Sequence, residues 1–139
     1  MHSNFRIILD TNILVSAISS YSSTRWIFDA ILNGKISIIL SNEIIFEYVE
    51  VLSKKSTQQI ANNIISVLLY LPDTELVSIY YNWHLIEIDK DDNKFVDAYL
   101  VSNPDYLISN DKHFNVLKNL DYPKVNIINL QEFEKIFTK

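Results

Sequence analysis

Four carboxylates in this 139-residue chain stand where a strand end or a helix face would carry them to one edge: Asp10, Glu47, Asp92 and Asp111. Acids gathered in one place repel one another and take up protons unless a cation neutralises them. Hard oxygen ligands, with no cysteine and no histidine among them, suit Mg²⁺ or Mn²⁺. Two such ions about 3.5–4 Å apart can activate a water and stabilise the leaving oxygen of a phosphodiester. The chemistry these residues would support is therefore metal-assisted phosphodiester hydrolysis, with no side chain needed as covalent nucleophile.

The spacing of neighbouring residues places each acid. Phe5 to Leu9 reads as a short buried strand ending at Asp10-Thr11-Asn12, and Tyr106-Leu107-Ile108 as another ending at Ser109-Asn110-Asp111. Ser41 is a good N-cap for a helix over Asn42 to Lys54, whose apolar stripe is Ile44, Ile45, Tyr48, Val49 and Leu52. Glu43, Glu47 and Glu50 adjoin that stripe; Glu47 lies beside the buried face, and the other two are expected in solvent. Behind Asp91 or Asp92 a helix to about Val101 buries Phe95, Val96, Tyr99 and Leu100. Asp92 precedes Phe95 and Val96 by three and four residues and shares their face, whereas Asp97 is about 140° round. Each acid also has a plainer reading. An aspartate after a strand is often a turn former, Asp91 and Asp92 are natural helix caps, and the three glutamates can be a solvated face. Lys90, Lys94 and Lys112 read as solvated lysines. The combination, in one order along the chain, carries the argument.

The remaining elements must hold these ends together. A helix is expected from about Thr24 to Asn33, stopped by Gly34, then a strand over Ile36 to Leu40. Ser56 is expected to cap a helix from about Thr57 to Leu71, ended by Pro72. Leu76 to Tyr81 fits a helix end or a strand. Leu85 to Ile88 reads as a short strand, Val125 to Ile128 as the last strand and Gln131 to Phe137 as the last helix. Strands alternating with helices, and almost wholly apolar within themselves, indicate an α/β fold whose parallel sheet is covered on both faces. In such sheets the site lies beyond the carboxyl ends of the strands, where Asp10 and Asp111 both fall.

Composition bounds the alternatives. The length fits a single domain over residues 1–139, without repeats or linkers. No apolar run approaches the ~18 residues of a membrane span. Met1 leads within a few residues into the first strand, so no signal peptide is expected, and the lack of cysteine fits the cytoplasm. A single glycine excludes phosphate-cradling loops that need several. His2, His84 and His113 are far apart and form no zinc spacing. No Gly-x-Ser-x-Gly elbow supports serine hydrolase chemistry. A net charge of −5 argues against nucleic acid unless bound cations supply the local positive charge.

The stretches now reached resemble a family. Leu9-Asp10-Thr11-Asn12-Ile13-Leu14-Val15-Ser16-Ala17 is similar to the opening of PIN domains. Ser41 to Leu52 resembles their second motif, with its acid at Glu47; Asp89 to Ala98 and Asp105 to Phe114 resemble the third and fourth. The likeness runs through nearly the whole chain and is nearest to toxin components of toxin–antitoxin pairs. It implies a PIN-like three-layer sandwich with a five-stranded parallel sheet flanked by helices, and endoribonuclease activity with Mg²⁺ or Mn²⁺. It implies metal ligands at Asp10, Glu47, Asp92 and Asp111, with Asn12 and Ser109 steering them by hydrogen bonds. It implies RNA as substrate, an antitoxin protein as partner and a homodimer. The chain departs from the pattern at Asn110, often glycine in relatives, where a left-handed asparagine would serve. It departs again at His113, where some relatives carry another acid.

Other readings fit less well. A haloacid-dehalogenase-type phosphatase needs a second Asp where Asn12 stands. A phosphorelay receiver needs an acceptor Asp after its third strand, and none lies between Leu40 and Leu85. The non-enzyme alternative is a PIN-fold module that binds RNA or protein without cutting. Such modules usually lose an acid, and here all four are present. Tyr80, Tyr81 and Trp83 lack core spacing and fit a dimer surface or a core edge.

Overall fold

The structure, a computed structural model, describes residues 4–86 and 90–139. Strand β1 (Phe5–Leu9) leads into helices α1 (Thr11–Ala17) and α2 (Arg25–Leu32). Strand β2 (Ile36–Leu40) is followed by α3 (Asn42–Lys55), α4 (Gln58–Tyr70) and the two-residue strand β3 (Glu75–Leu76). Then come α5 (Asn93–Ser102), β4 (Tyr106–Ile108), β5 (Ile127–Ile128) and α6 (Leu130–Phe137). The strands form one five-stranded parallel sheet in the order β3-β2-β1-β4-β5, flanked by helices as a three-layer α/β sandwich.

Local signals explain most boundaries. The Ser41 hydroxyl accepts from the Ile44 amide at 3.3 Å, opening α3 where a cap was expected. For α4 the cap is Thr57, not Ser56: its hydroxyl accepts from the Ile60 amide, one residue on from the expected start. Gly34 takes a left-handed φ of 77° between α2 and β2. Asn129 and Glu132 close a reciprocal capping box at α6.

Two expectations need correction. Leu85 and Ile86 lie outside any strand, and the rest of the expected Leu85 to Ile88 strand falls on residues outside those described. The sheet takes its third strand from Glu75–Leu76 instead, pairing with Ile39 and Leu40. Ile86 is buried by other means: Asn93 brackets its amide and carbonyl with two side-chain hydrogen bonds of 2.9 and 2.8 Å. Asn110 is not left-handed; its side chain accepts from the Leu130 amide at 3.1 Å.

The core lies on both faces of β1 and β2. Ile7, Ile8 and Leu9 are fully buried and every residue of β2 is buried, which explains why both strands are nearly all apolar. On one face Phe5 meets Phe133 and Phe137 of α6, and Trp26 of α2 stacks on Phe133. On the other, Arg6 donates to the last carbonyls of α5, Ser102 and Asn103, and to both Glu75 oxygens. Ser37 is the register partner of Arg6 on β2, and so small a residue leaves room for the guanidinium to cross β2 to β3.

Candidate metal centre

Strand order reverses at β1: the chain moves outward on one side through β2 and β3, then returns to place β4 and β5 on the other. The crevice between the carboxyl ends of β1 and β4 is thus a topological switch point. Asp10 follows β1 and continues the ladder, its amide donating to the Ile108 carbonyl at 3.0 Å. Ser109 and Asp111 follow β4. One hydroxyl ties the two ends together: Ser109 Oγ donates to Asp10 Oδ2 at 2.7 Å and accepts from the Asp111 amide at 2.9 Å.

Asp10 is only 7% exposed. Its other oxygen accepts from the Thr11 amide at 2.8 Å as the cap of α1. Burial raises its pKa from the ordinary carboxylate value, the hydrogen bonds from Ser109 and Thr11 oppose that rise, and the charges of Asp111 and Glu47 reinforce it. The carboxylate is oriented by design yet short of positive charge, a state that a bound cation relieves.

Asp92 ends a 3-10 turn (Lys90–Asp92) and is 8% exposed. It stands at the N-cap of α5 without a side-chain cap bond, so the plain capping reading does not hold for it. Its Oδ2 lies 3.5 Å from His113 Nδ1, and Asp111 Oδ1 lies 3.4 Å from the same nitrogen. One ligand atom from each of Asp92, Asp111 and His113 falls within 4.8 Å of the others, a grouping that could hold a metal ion. His113 thus stands with two aspartates, beside a ligand set read as oxygen alone; its sequence distance from the other histidines, which leaves no zinc spacing among the three, says nothing about nearness to aspartates.

Glu47 reaches the site from α3. Tyr48, fully buried beside it, donates its hydroxyl to the Leu9 carbonyl, the last residue of β1. Burial, then the charges of Asp10 and Glu47, push the Tyr48 phenol well above its usual value, so it stays a donor. Glu47 Oε2 accepts from the Thr11 hydroxyl, and Oε1 from Lys94 Nζ at 2.6 Å. Lys94 is therefore an ion-paired, mostly buried side chain rather than a solvated lysine. Glu43 and Glu50 are exposed, as expected.

Asp97 points elsewhere, as its angular position implies. It is buried, accepts from the Trp83 amide at 3.0 Å and lines a different cavity with Glu43 and His84. Burial raises its pKa from the ordinary carboxylate value, the Trp83 bond opposing. Asn12 is exposed and lines a cleft of about 370 Å³ with Asp10, Asn110 and Asp111; no hydrogen bond joins it to a carboxylate among the described residues. Thr11, Lys94 and His113 are the site residues that sequence reading did not assign. An Asp-x-His spacing after a strand was the signal available for the last.

The donor set suits a divalent cation. Carboxylate oxygens favour Mg²⁺ or Mn²⁺, and the imidazole nitrogen is a softer donor. No helix among the described residues is long and apolar enough to cross a membrane.

Known structures share the fold. A chain in the crystal structure of VapBC2 from Rickettsia felis, bound to a DNA fragment from their promoter, superposes with a TM-score of 0.62 at 18% identity, covering 89% of this chain and 98% of that one. Mycobacterium tuberculosis VapC20, described as a Sarcin-Ricin loop cleaving toxin, gives 0.60 at 12% identity, covering 78% and 92%. The PIN domain endonuclease Utp24 gives 0.54 at 16%, covering 90% and 84%. At these identities the likeness is one of fold. No curated protein matches in sequence. Residues 6–113 match the family model of the PIN domain, from β1 through the acids after β4, and the chain belongs to the PIN-domain family.

Proposed function

We propose that residues 1–139 form one metal-dependent endoribonuclease domain whose acidic centre is Asp10, Glu47, Asp92 and Asp111. The observation that carries this reading is the convergence of Asp92, Asp111 and His113 within 4.8 Å at the end of the sheet where Asp10 is fixed. Asp92, Asp111 and His113 would hold Mg²⁺ or Mn²⁺, with Asp10 beside them. Such an ion supplies water activation and charge neutralisation at a phosphodiester. The protein's own part is orientation: Ser109 and the Thr11 amide fix the two Asp10 oxygens, and Thr11 and Lys94 fix those of Glu47. The likeness to VapBC2 and to VapC20, the Sarcin-Ricin loop cleaving toxin, supports the finer reading, the toxin of a type II toxin–antitoxin pair. Its partners would be RNA, an antitoxin protein and a second copy of the chain, in the cytoplasm.

The test is cleavage of a mixed RNA pool with Mg²⁺, Mn²⁺ or EDTA, for wild type and Asp10→Asn in parallel. Cutting should require metal. The variant should lose more than the roughly 10–100-fold that removal of an outer partner costs, without a lower Tm in EDTA, since one of several clustered charges is gone. A fully active Asp10→Asn protein, or cutting indifferent to EDTA, would sink the proposal. Metal-dependent RNA binding without cutting would favour the binding-module reading.

A further inference from the structure

The acids of the centre are not equivalent. Asp92 and Asp111 converge with His113 on one point. Glu47 places no oxygen in that grouping. Both of its oxygens are engaged, Oε2 by the Thr11 hydroxyl and Oε1 by Lys94 Nζ at 2.6 Å. The Lys94 and Glu47 side chains are only 16% and 20% exposed. A surface lysine–glutamate pair is worth little, but one drawn out of water holds its partners firmly and resists insertion of another cation.

Charge counting points the same way. The four carboxylates carry four negative charges. One dication with the Lys94 ammonium offsets three of them; two dications with that ammonium would set five positive charges against four. The second dication would also have to sit against the ammonium to reach Glu47, and like charges at contact distance in a part-buried site are strongly unfavourable.

We infer that this centre holds a single divalent ion, at Asp92, Asp111 and His113 beside Asp10, and that the Lys94 ammonium takes the place of a second ion at Glu47. The inference rests on the metal-centre reading above. Lys94 is then a positioning residue: it fixes Glu47 and supplies a permanent positive charge next to the ion.

Counting bound Mn²⁺ on the full chain, by isothermal titration calorimetry and by electron paramagnetic resonance of the unbound ion, tests this without reference to activity. Wild type should take up about one Mn²⁺ per chain. Lys94→Met should take up about two, because the freed Glu47 carboxylate completes a second site. Lys94→Arg should stay at one, and Lys94→Met combined with Glu47→Gln should return to one. Two ions in wild type, or one in a folded Lys94→Met protein, overturns the role of Lys94. Should Lys94→Met fail to fold by circular dichroism, the wild-type count and Lys94→Gln decide in the same way. No ion bound by wild type strikes down the metal centre itself, a result distinct from either count.

Discussion

His113 shows how one side chain changes the chemistry of the site. Its Nδ1 stands 3.4 and 3.5 Å from oxygens of Asp111 and Asp92, while its backbone amide donates to Asp111 Oδ1 at 2.9 Å. The imidazole and the carboxylate thus hold each other in place. His113→Ala should weaken Mn²⁺ binding by about 10–100-fold, the range for loss of a group that ligates or orients a ligand. Unchanged affinity by calorimetry would put His113 outside the coordination sphere. Asp10 and Asp111 were legible from sequence because a strand end fixes where the next residues go. Thr11 and Lys94 were not. Each acts through Glu47, 36 and 47 residues away, and no local periodicity encodes a contact of that range. Lys94 looked like any surface lysine because its burial depends on α3 lying beside α5.

Among the elements, α3 has the most exacting task, since it must bring Glu47 to strands it does not adjoin in sequence. Tyr48 does this by donating to the Leu9 carbonyl from a fully buried position. Tyr48→Phe leaves that carbonyl without its donor in a water-free place, so a loss of about 1–3 kcal/mol is expected in urea unfolding. RNA cleavage should fall as well, because the neighbouring Glu47 loses its anchor. A variant as stable as wild type would show the hydroxyl to be incidental. The stripe that placed Tyr48 and Glu47 was readable because 14 residues of helix give several turns of repeating pattern. Strand β3 was not, because two residues have no period, and its pairing is decided by β2 rather than by its own composition. The apolar Leu85 and Ile86 looked more like a strand, but the backbone of Ile86 finds its partner in the Asn93 side chain.

Across the whole molecule, Arg6 joins β1, β3 and the end of α5 at the edge of the sheet opposite the acids. Its hydrogen bond and charge hold the Glu75 carboxyl below the ordinary range, with modest burial opposing. A depressed folded value means that this stabilisation is present above the unfolded carboxylate range and is lost as pH falls through the folded value. Both side chains are more than a third exposed, so the contribution is small. The stability gap between wild type and Glu75→Gln, measured by thermal unfolding, should be open at neutral pH and close in acid below about pH 4. A gap independent of pH would mean that the pair acts by packing alone. Covered-sheet architecture was legible from alternating apolar runs; strand order was not, because parallel pairing leaves no mark in the strands themselves.

The pairing of β1 with β4 has a consequence for the chain as it is made. Asp10 and the Ser109 hydroxyl that orients it are 99 residues apart. At synthesis rates of about 5–20 residues per second, roughly 5–20 s separate their emergence from a ribosome. Throughout that interval the nascent polypeptide carries Asp10, then Glu47 and Asp92, but lacks Ser109 and Asp111, so no product that ends before Asp111 owns a complete acidic centre. If the chain cuts RNA, it is silent toward the transcript and the ribosome producing it until β4 has emerged and docked.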